Sequence, residues 1–254
     1  MPEKRSPSID YVMKYKDILY SLITEKIRGV ESPNILDIGC NKGVDLRHIC
    51  GKHKHLRGFG MDMKFAVIDN VHKAPGCFFV QAAAWNIPFK TKAFEAIILA
   101  EVIEHINDVD SFLCEVHRVL KRNGRLFITT PPRHAYTTLV GRIVPRKFKK
   151  SLRRLTYSDV GEMSGIKEIL PDGTIIKEHV REYDPSELKS LLERNNFIVE
   201  TTRQGFLRVP ISPLFDRFGM LLKFWKAFDA MISILPFSII FKSNYIIVAK
   251  NAGE

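Results

Sequence analysis

Short apolar runs alternate along this chain with segments whose apolar residues recur at helical spacing, and this alternation restricts the fold more than any other feature. Five runs are typical of buried strands, at 34–40, 56–62, 77–83, 94–101 and 124–131. Strands that alternate with helices predict a parallel sheet covered by helices on both faces. We therefore expect an α/β fold with a doubly wound sheet.

The rest of the chain is predicted to complete a single domain over residues 1–254. The helix after the fourth strand is expected to end on a left-handed cap at Gly124. A later helix is expected to begin with a capping box formed by Asp184 and Glu187. The predicted segments are an N-terminal helix (8–30), a ligand-binding core (34–132), a basic lid insertion (133–180), a helix and strand (183–204), an apolar helical appendage (206–242) and a last strand (243–251).

A glycine-containing loop follows the first strand, in the stretch ILDIGCNKG (35–43). Ligands of open parallel sheets bind at the carboxyl ends of the strands, and glycine lets the backbone approach them closely. The second strand ends at Asp62, where a carboxylate can hydrogen-bond a ribose diol. Asn41 replaces the second glycine of a dinucleotide-binding motif, but Asn tolerates positive φ. The pattern predicts a nucleoside-containing ligand.

Further along, the chain resembles the class I S-adenosylmethionine-dependent methyltransferases, in the branch of ubiquinone-pathway and small-molecule O-methyltransferases. The stretches that carry the resemblance, between residues 34 and 204, are ILDIGCNKG, GFGMDMK, AAAWNIPF, AFEAIILAEVIEHI, FLCEVHRVLKRNGRLFITTPPR and HVREYDPSELKSLLERNNF. The resemblance implies a Rossmann-like, seven-stranded, mostly parallel sheet with an antiparallel last strand. It also implies helical and loop lid insertions, with S-adenosylmethionine as the cofactor.

The resemblance assigns residues to the cofactor site. Asp37 and Gly39 would lie against the methionine part, Gly43 would let the first helix approach, and Asp62 would bind the ribose. The other implied positions are Asn41 in the loop, Met63 and Trp85 beside the adenine, Ala84 as an N–H donor and Ala100 at the end of the fourth strand. Ala83 departs from the pattern, because many members carry there an Asp that meets the adenine. A neutral hydrogen bond contributes about 0.5–1.5 kcal/mol, so weaker binding is expected.

Acidic and histidine residues follow the fourth strand in AEVIEHI, which contains Glu101, Glu104 and His105. Residues three and four apart share a helical face, so these side chains are expected to converge. We expect His105 or His179 to accept the proton of a methyl acceptor, with Glu104 as a further catalytic residue. The resemblance adds an alternative, a divalent metal ion held by Glu101, Glu104, His105 and His179. In the metal-free alternative the motif caps a helix and shapes the pocket.

The charge and the insertions bear on partners. The net charge of +11 predicts affinity for anionic partners. A basic run at 142–154 is either a contact for phosphate or anionic lipid or a solvated loop. An apolar helical stripe over 214–235 is either a packing face or a peripheral contact with an anionic membrane surface. Four cysteines without C-x-x-C spacing and the lack of an apolar leader favour a cytoplasmic location.

Three functions compete on these observations. The leading one is O-methylation of a small-molecule, sugar- or lipid-linked acceptor. An RNA 2′-O-methyltransferase fits the charge, but no RNA-binding module is recognisable, so nucleic acid is not the favoured partner. A non-catalytic binding module that keeps the methyltransferase fold would explain Asn41 and Ala83.

Overall fold

The computed structural model describes residues 7–63, 75–133, 168–169, 175–176, 180–204, 219–234 and 244–253. The helices are α1 (Pro7–Lys26), α2 (Val44–Lys52), a 3-10 helix (Ile103–His105), α3 (Val109–Val119), α4 (Pro185–Arg194) and α5 (Gly219–Ser233). The strands are β1 (Asn34–Ile38), β2 (Arg57–Asp62), β3 (Cys77–Gln81), β4 (Phe94–Ala100), β5 (Leu120–Thr130), β6 (Glu168–Ile169), β7 (Ile175–Ile176), β8 (Phe197–Gln204) and β9 (Tyr245–Asn251).

Seven strands form one sheet in the order β3-β2-β1-β4-β5-β9-β8, and β6 pairs with β7 in a separate two-stranded sheet. The pairings of β1 with β2, β1 with β4, β2 with β3 and β4 with β5 are parallel. The strand order reverses between β1 and β4, which is where such sheets bind ligands. The predicted seven-stranded, mostly parallel sheet with an antiparallel last strand is confirmed.

The centre of the sheet is buried because β1 and β4 have neighbours on both sides. Residues 35–38 and 96–99 are all buried. Apolar residues of α1 and α2, among them Leu19, Ile23 and Leu46, belong to one cluster with residues of β1, β4 and β5. This packing fixes the strand ends that carry the candidate site.

Two predicted helix boundaries are wrong. The first helix ends at Lys26 rather than near residue 30, and α3 ends at Val119. Leu120 is already extended, with φ −78° and ψ 133°, and it pairs with Phe94 of β4. The left-handed residue in the following stretch is Asn123, with φ 63°, and not Gly124. The prediction was wrong because the polar residues 121–123 are typical of a helix end, although here they belong to the exposed first part of β5.

The predicted start of α4 is confirmed, but its capping box is not. Asp184 is the N-cap and Pro185 the first helical residue, yet the side chain of Asp184 makes no capping hydrogen bond. Glu187 instead forms an ion pair with Arg181.

The chain divides into two compact units. One comprises Leu19–Thr130, Val180–Arg203 and Ile246–Glu254, and holds most of the seven-stranded sheet. The other comprises Met1–Ile18, Pro131–His179 and Gln204–Tyr245, and holds α5. The predicted basic run at 142–154 lies outside the described residues. Among the helices that are described, none is long and apolar enough to cross a bilayer.

Candidate cofactor site and the acid–histidine segment

The loop between β1 and α2 turns on three residues with positive φ. Gly39, Asn41 and Gly43 have φ values of 72°, 45° and 64°. The N–H groups of Gly39 and Cys40 both donate to the carbonyl of Met61, at 2.8 and 3.0 Å. These bonds tie the loop to the end of β2, so its backbone is held at the carboxyl edge of the sheet.

Asp62 connects the loop to the second strand. Its Oδ2 accepts a hydrogen bond from the backbone N–H of Asn41 at 2.9 Å. The carboxylate of Asp62 is half-buried, and each carboxylate oxygen can accept more than one hydrogen bond. Asp62 is thus oriented by the same loop that a ribose ligand would contact.

Gly39 is constrained by close packing as well as by its dihedral angle. A Cβ built on Gly39 would lie 2.6 Å from Cγ2 of Val102. Carbon atoms in contact are normally about 3.5–4.0 Å apart. The segment after β4 therefore closes against the loop and leaves no room for a side chain at this position.

The other predicted cofactor residues lie at the same edge of the sheet. Met63 directly follows β2, and its carbonyl accepts a bond from Gln81 Nε2 at 2.9 Å. The N–H of Ala82 donates to the carbonyl of Asp62 at 3.0 Å, which places Ala83, Ala84 and Trp85 just beyond β3. Trp85 is 64% exposed. Ala100 ends β4, and Asp37 is buried within β1.

Acidic charge at this edge acts on Cys40. Burial raises the pKa of its thiol, and the neighbouring carboxylates of Asp37 and Asp62 raise it further. Cys40 therefore stays protonated at neutral pH. Asp37 and Asp62 thus both lie close to the Cys40 thiol, beside the loop.

The acid–histidine segment begins with a strained residue. Glu101 has φ 58°, and its N–H donates to the carbonyl of Thr129 in β5 at 2.9 Å. A non-glycine residue in this conformation is uncommon and occurs often at functional sites. The turn carries the chain from β4 into the 3-10 helix.

Glu104 points into the protein rather than toward solvent. Its side chain is fully buried, and its Oε2 accepts a bond from the Thr130 hydroxyl at 3.1 Å. Burial, and secondly the charge of Glu101, raise the pKa of Glu104 to about 8. Its Oε1 has no hydrogen-bond partner among the residues that the structure describes. Burial thus favours the protonated form of Glu104 and keeps its carboxyl group away from solvent.

The backbone of Glu104 has a second role. Its carbonyl accepts bonds from the N–H groups of Val180 and Arg181, at 2.8 and 3.2 Å. These bonds bring the start of the 180–184 segment against the 3-10 helix. His179 precedes that segment but lies outside the described residues.

His105 is the remaining member of the segment and is half-buried. Its backbone N–H donates to the carbonyl of Val102 at 2.9 Å, which closes the turn. Within the described part of the chain, no three His, Cys, Asp or Glu side chains are grouped as metal ligands. The predicted metal set of Glu101, Glu104, His105 and His179 stays a prediction, because His179 is not described.

The sequence interpretation missed three participants in this region. Thr129 and Thr130 at the end of β5 bind the acidic segment, and Val102 closes on Gly39. The two threonines carried a signal, since they are polar residues inside an otherwise apolar strand that ends in ITTPP. Val102 carried none, because an apolar residue in a turn has no distinctive pattern.

Comparison with known proteins identifies the family to which this chain belongs. A family model described as a methyltransferase domain matches residues 14–202. The chain belongs to the methyltransferase-domain family.

Curated relatives of this methyltransferase-domain chain match it only over part of their length. The ubiquinone biosynthesis O-methyltransferase of Pelagibacter ubique is 27% identical over 177 residues, which are 67% of this chain and 65% of that protein. The fatty-acid O-methyltransferase of Mycolicibacterium smegmatis is 32% identical over 130 residues, which are 50% of this chain and 47% of that protein. The match thus spans two thirds or less of these relatives.

A solved structure supports the fold assignment. The phosphoethanolamine N-methyltransferase 2 of Haemonchus contortus, in complex with S-adenosyl-L-methionine, superposes with a TM-score of 0.59 at 16% identity. The superposition covers 94% of this chain and 53% of that one. The methyltransferase-domain chain has the Rossmann-like fold of the class I S-adenosylmethionine-dependent methyltransferases, as the sequence resemblance implied.

Proposed function

We propose that this chain is an S-adenosylmethionine-dependent methyltransferase that methylates a hydroxyl of a small-molecule, sugar- or lipid-linked acceptor. The observation that carries the proposal is the bond from the Asn41 N–H to the Asp62 carboxylate, 2.9 Å long. It joins a glycine loop and an acidic strand end, the two elements that a nucleoside ligand needs. Membership of the methyltransferase-domain family makes S-adenosylmethionine the nucleoside of choice.

The residues present fit this cofactor. The loop begins and ends at glycines, Gly39 and Gly43, so no side chain at these two positions obstructs the close approach of a ligand. Asp62 can accept hydrogen bonds from ribose hydroxyls. Trp85, with 64% of its surface exposed, offers an aromatic face for the adenine. Bound S-adenosylmethionine supplies an electrophilic methyl group on a sulfonium, so the protein's main tasks are alignment and proton removal.

We assign proton removal to His105. An unperturbed imidazole titrates near pH 6.5 and can accept the acceptor's hydroxyl proton as the new bond forms. Glu104 lies beside it in sequence, but it is buried and its raised pKa favours the neutral form, so we assign it the role of holding the turn through Thr130. A His105→Gln variant is expected to lose turnover while it keeps its affinity for S-adenosylhomocysteine. Equal loss of both would refute the assignment.

The class of acceptor is supported by α5 and by the names of the relatives. Residues on α5 and just after it leave large apolar side chains in water, namely Met220, Phe224, Phe228, Met231 and Ile234. Exposed apolar side chains beside lysines are typical of helices that lie on lipid. One relative is named a fatty-acid O-methyltransferase. We therefore favour an acceptor with an apolar chain, and a panel of hydroxylated acceptors with and without such chains tests this.

The cofactor site is tested by calorimetric titration with S-adenosylhomocysteine. Wild-type protein is expected to bind it, and Asp62→Ala is expected to lose at least about tenfold in affinity, since two charge-assisted hydrogen bonds are removed. Asp17→Ala is the matched control, because Asp17 is an exposed carboxylate on α1. If folded wild-type protein does not bind S-adenosylhomocysteine, the methyltransferase proposal is refuted and the non-catalytic binding module becomes the favoured function.

A further inference from the structure

A cleft with a basic rim lies at the edge of the sheet opposite the proposed cofactor site. It has a volume of about 580 Å³ and is lined from the end of α1, the α1–β1 loop and the α2–β2 loop. Pro33 directly precedes β1 and Leu56 directly precedes β2, so the cleft marks the amino ends of these parallel strands. Five strand residues rise about 16 Å, which separates the cleft from the Gly39–Gly43 loop.

The rim of this basic cleft carries excess positive charge. Its lining includes three permanent cations, Arg28, Lys52 and Lys54, against one carboxylate, Glu31. All three cations are exposed, and none forms an ion pair with the residues that the structure describes. Three cations beside a single carboxylate leave excess positive charge that repels itself, so an anion at this position would stabilise the fold.

The floor of the basic cleft is apolar and fixed. Ile27 and Leu56 are 7% and 2% exposed. Thr24 Oγ1 and His53 Nε2 are 3.2 Å apart and connect α1 to the end of α2 across the cleft. A volume near 580 Å³ is within the usual range for small-molecule sites, so the cleft has room for an organic group as well as an anion.

Helix ends explain only part of this charge. Lysine in the last turn of a helix stabilises the helix dipole, and Lys52 occupies such a position in α2. Arg28 and Lys54 lie two residues beyond the ends of α1 and α2. The dipole effect falls off within the last turn, so it does not account for them.

We propose that the basic cleft binds a phosphorylated small molecule, at a site separate from methyl transfer. Arg28, Lys52 and Lys54 hold the phosphate, and the apolar floor receives the organic part. Phosphate groups are commonly bound in proteins by the guanidinium group of arginine and the ammonium group of lysine. The site does not depend on the proposed methyltransferase activity.

The test uses inorganic pyrophosphate as the probe, by calorimetry and thermal unfolding, with sulfate at equal ionic strength as the comparison. A cleft variant carries Arg28→Gln, Lys52→Gln and Lys54→Gln. A control variant with the same change in net charge carries Arg203→Gln, Lys90→Gln and Lys223→Gln, all at exposed positions outside the cleft. The far-UV circular dichroism spectrum of both variants is measured as the check on folding.

Wild type and the control variant are expected to bind pyrophosphate in preference to sulfate, and the cleft variant is expected to bind it at least tenfold more weakly. Equal weakening in both variants would overturn the proposal, since the effect would then belong to overall charge. Binding to vesicles with anionic phospholipid that is lost in the cleft variant, without saturable pyrophosphate binding, would also overturn it, in favour of a membrane-contact surface. Unchanged pyrophosphate binding in the cleft variant would place the anion elsewhere.

Discussion

A substitution at Gly39 separates the two constraints that the structure places on the cofactor loop. In Gly39→Ala the alanine must adopt the left-handed φ of 72°, and its Cβ would lie 2.6 Å from Cγ2 of Val102. Gly29→Ala is the matched control, because Gly29 has φ 86° but a Cβ added there would have nothing within 4 Å. The control therefore carries the dihedral penalty alone.

The magnitudes follow from these two environments. A left-handed conformation costs an L-residue about 1–2 kcal/mol, which is the full expected loss of stability for Gly29→Ala. Overpacking adds about 1–3 kcal/mol at Gly39, so the total there is about 2–5 kcal/mol. The clash also displaces the N–H groups that bind the Met61 carbonyl, so we expect at least about tenfold weaker binding of S-adenosylhomocysteine, equal to about 1.4 kcal/mol.

Urea unfolding and calorimetric titration measure both effects. Adding Val102→Ala to Gly39→Ala removes the clashing methyl, so the double variant is expected to recover about 1–3 kcal/mol relative to the sum of the single changes. Equal stability losses for Gly39→Ala and Gly29→Ala would refute the packing argument. If the double variant recovers stability but not binding, the backbone conformation at residue 39 limits the affinity, and not the displacement of the loop by the clash.

Three further predictions concern groups with perturbed environments. Glu104→Gln should flatten the pH dependence of stability. The folded wild type keeps a proton that the unfolded chain releases above about pH 4.5, so the wild type loses stability as the pH rises from there toward 8. Urea titrations of both proteins at pH 5 and 8 test this, and parallel losses of stability in the two proteins would contradict it. Cys77, whose pKa is lowered by a hydrogen bond from the Cys50 thiol, should react with iodoacetamide faster than Cys40, whose pKa is raised by burial, and the reverse order by peptide mapping would refute this. Arg118→Met should cost about 2 kcal/mol in urea unfolding, because the guanidinium donates to the carbonyls of two residues, 87 and 89, as well as to a carboxylate, and a loss under about 0.5 kcal/mol would contradict this.

The sheet could be predicted from the sequence because burial on both faces leaves a visible pattern. The run around Ile98 is apolar without interruption, and the run around Leu36 is broken only by Asp37, as expected of strands buried on both faces. The glycine loop and Asp62 were predictable for a similar reason, since both depend on short-range spacing. The boundary at Leu120 was not, because extended pairing with Phe94 is decided by a distant strand and overrides the local helical signal.

The acid–histidine segment shows the limit of spacing arguments. Helical spacing predicted that Glu101, Glu104 and His105 share a face, which assumes a regular helix through all three. Positive φ at Glu101 breaks that assumption, since the turn directs Glu104 inward to Thr130. The partner that decides this orientation lies 26 residues along the chain, on another strand. No local pattern contains that information.

The bond between Asn41 and Asp62 has a consequence for how position 41 can vary. The loop uses the backbone N–H of Asn41 and its left-handed conformation, while the side chain is exposed. Selection at this position therefore acts on a dihedral angle and not on an amide. A saturation library screened for cofactor binding should accept glycine and aspartate there, reject valine and isoleucine, and rank the rest by their tolerance of positive φ, with no regard to polarity.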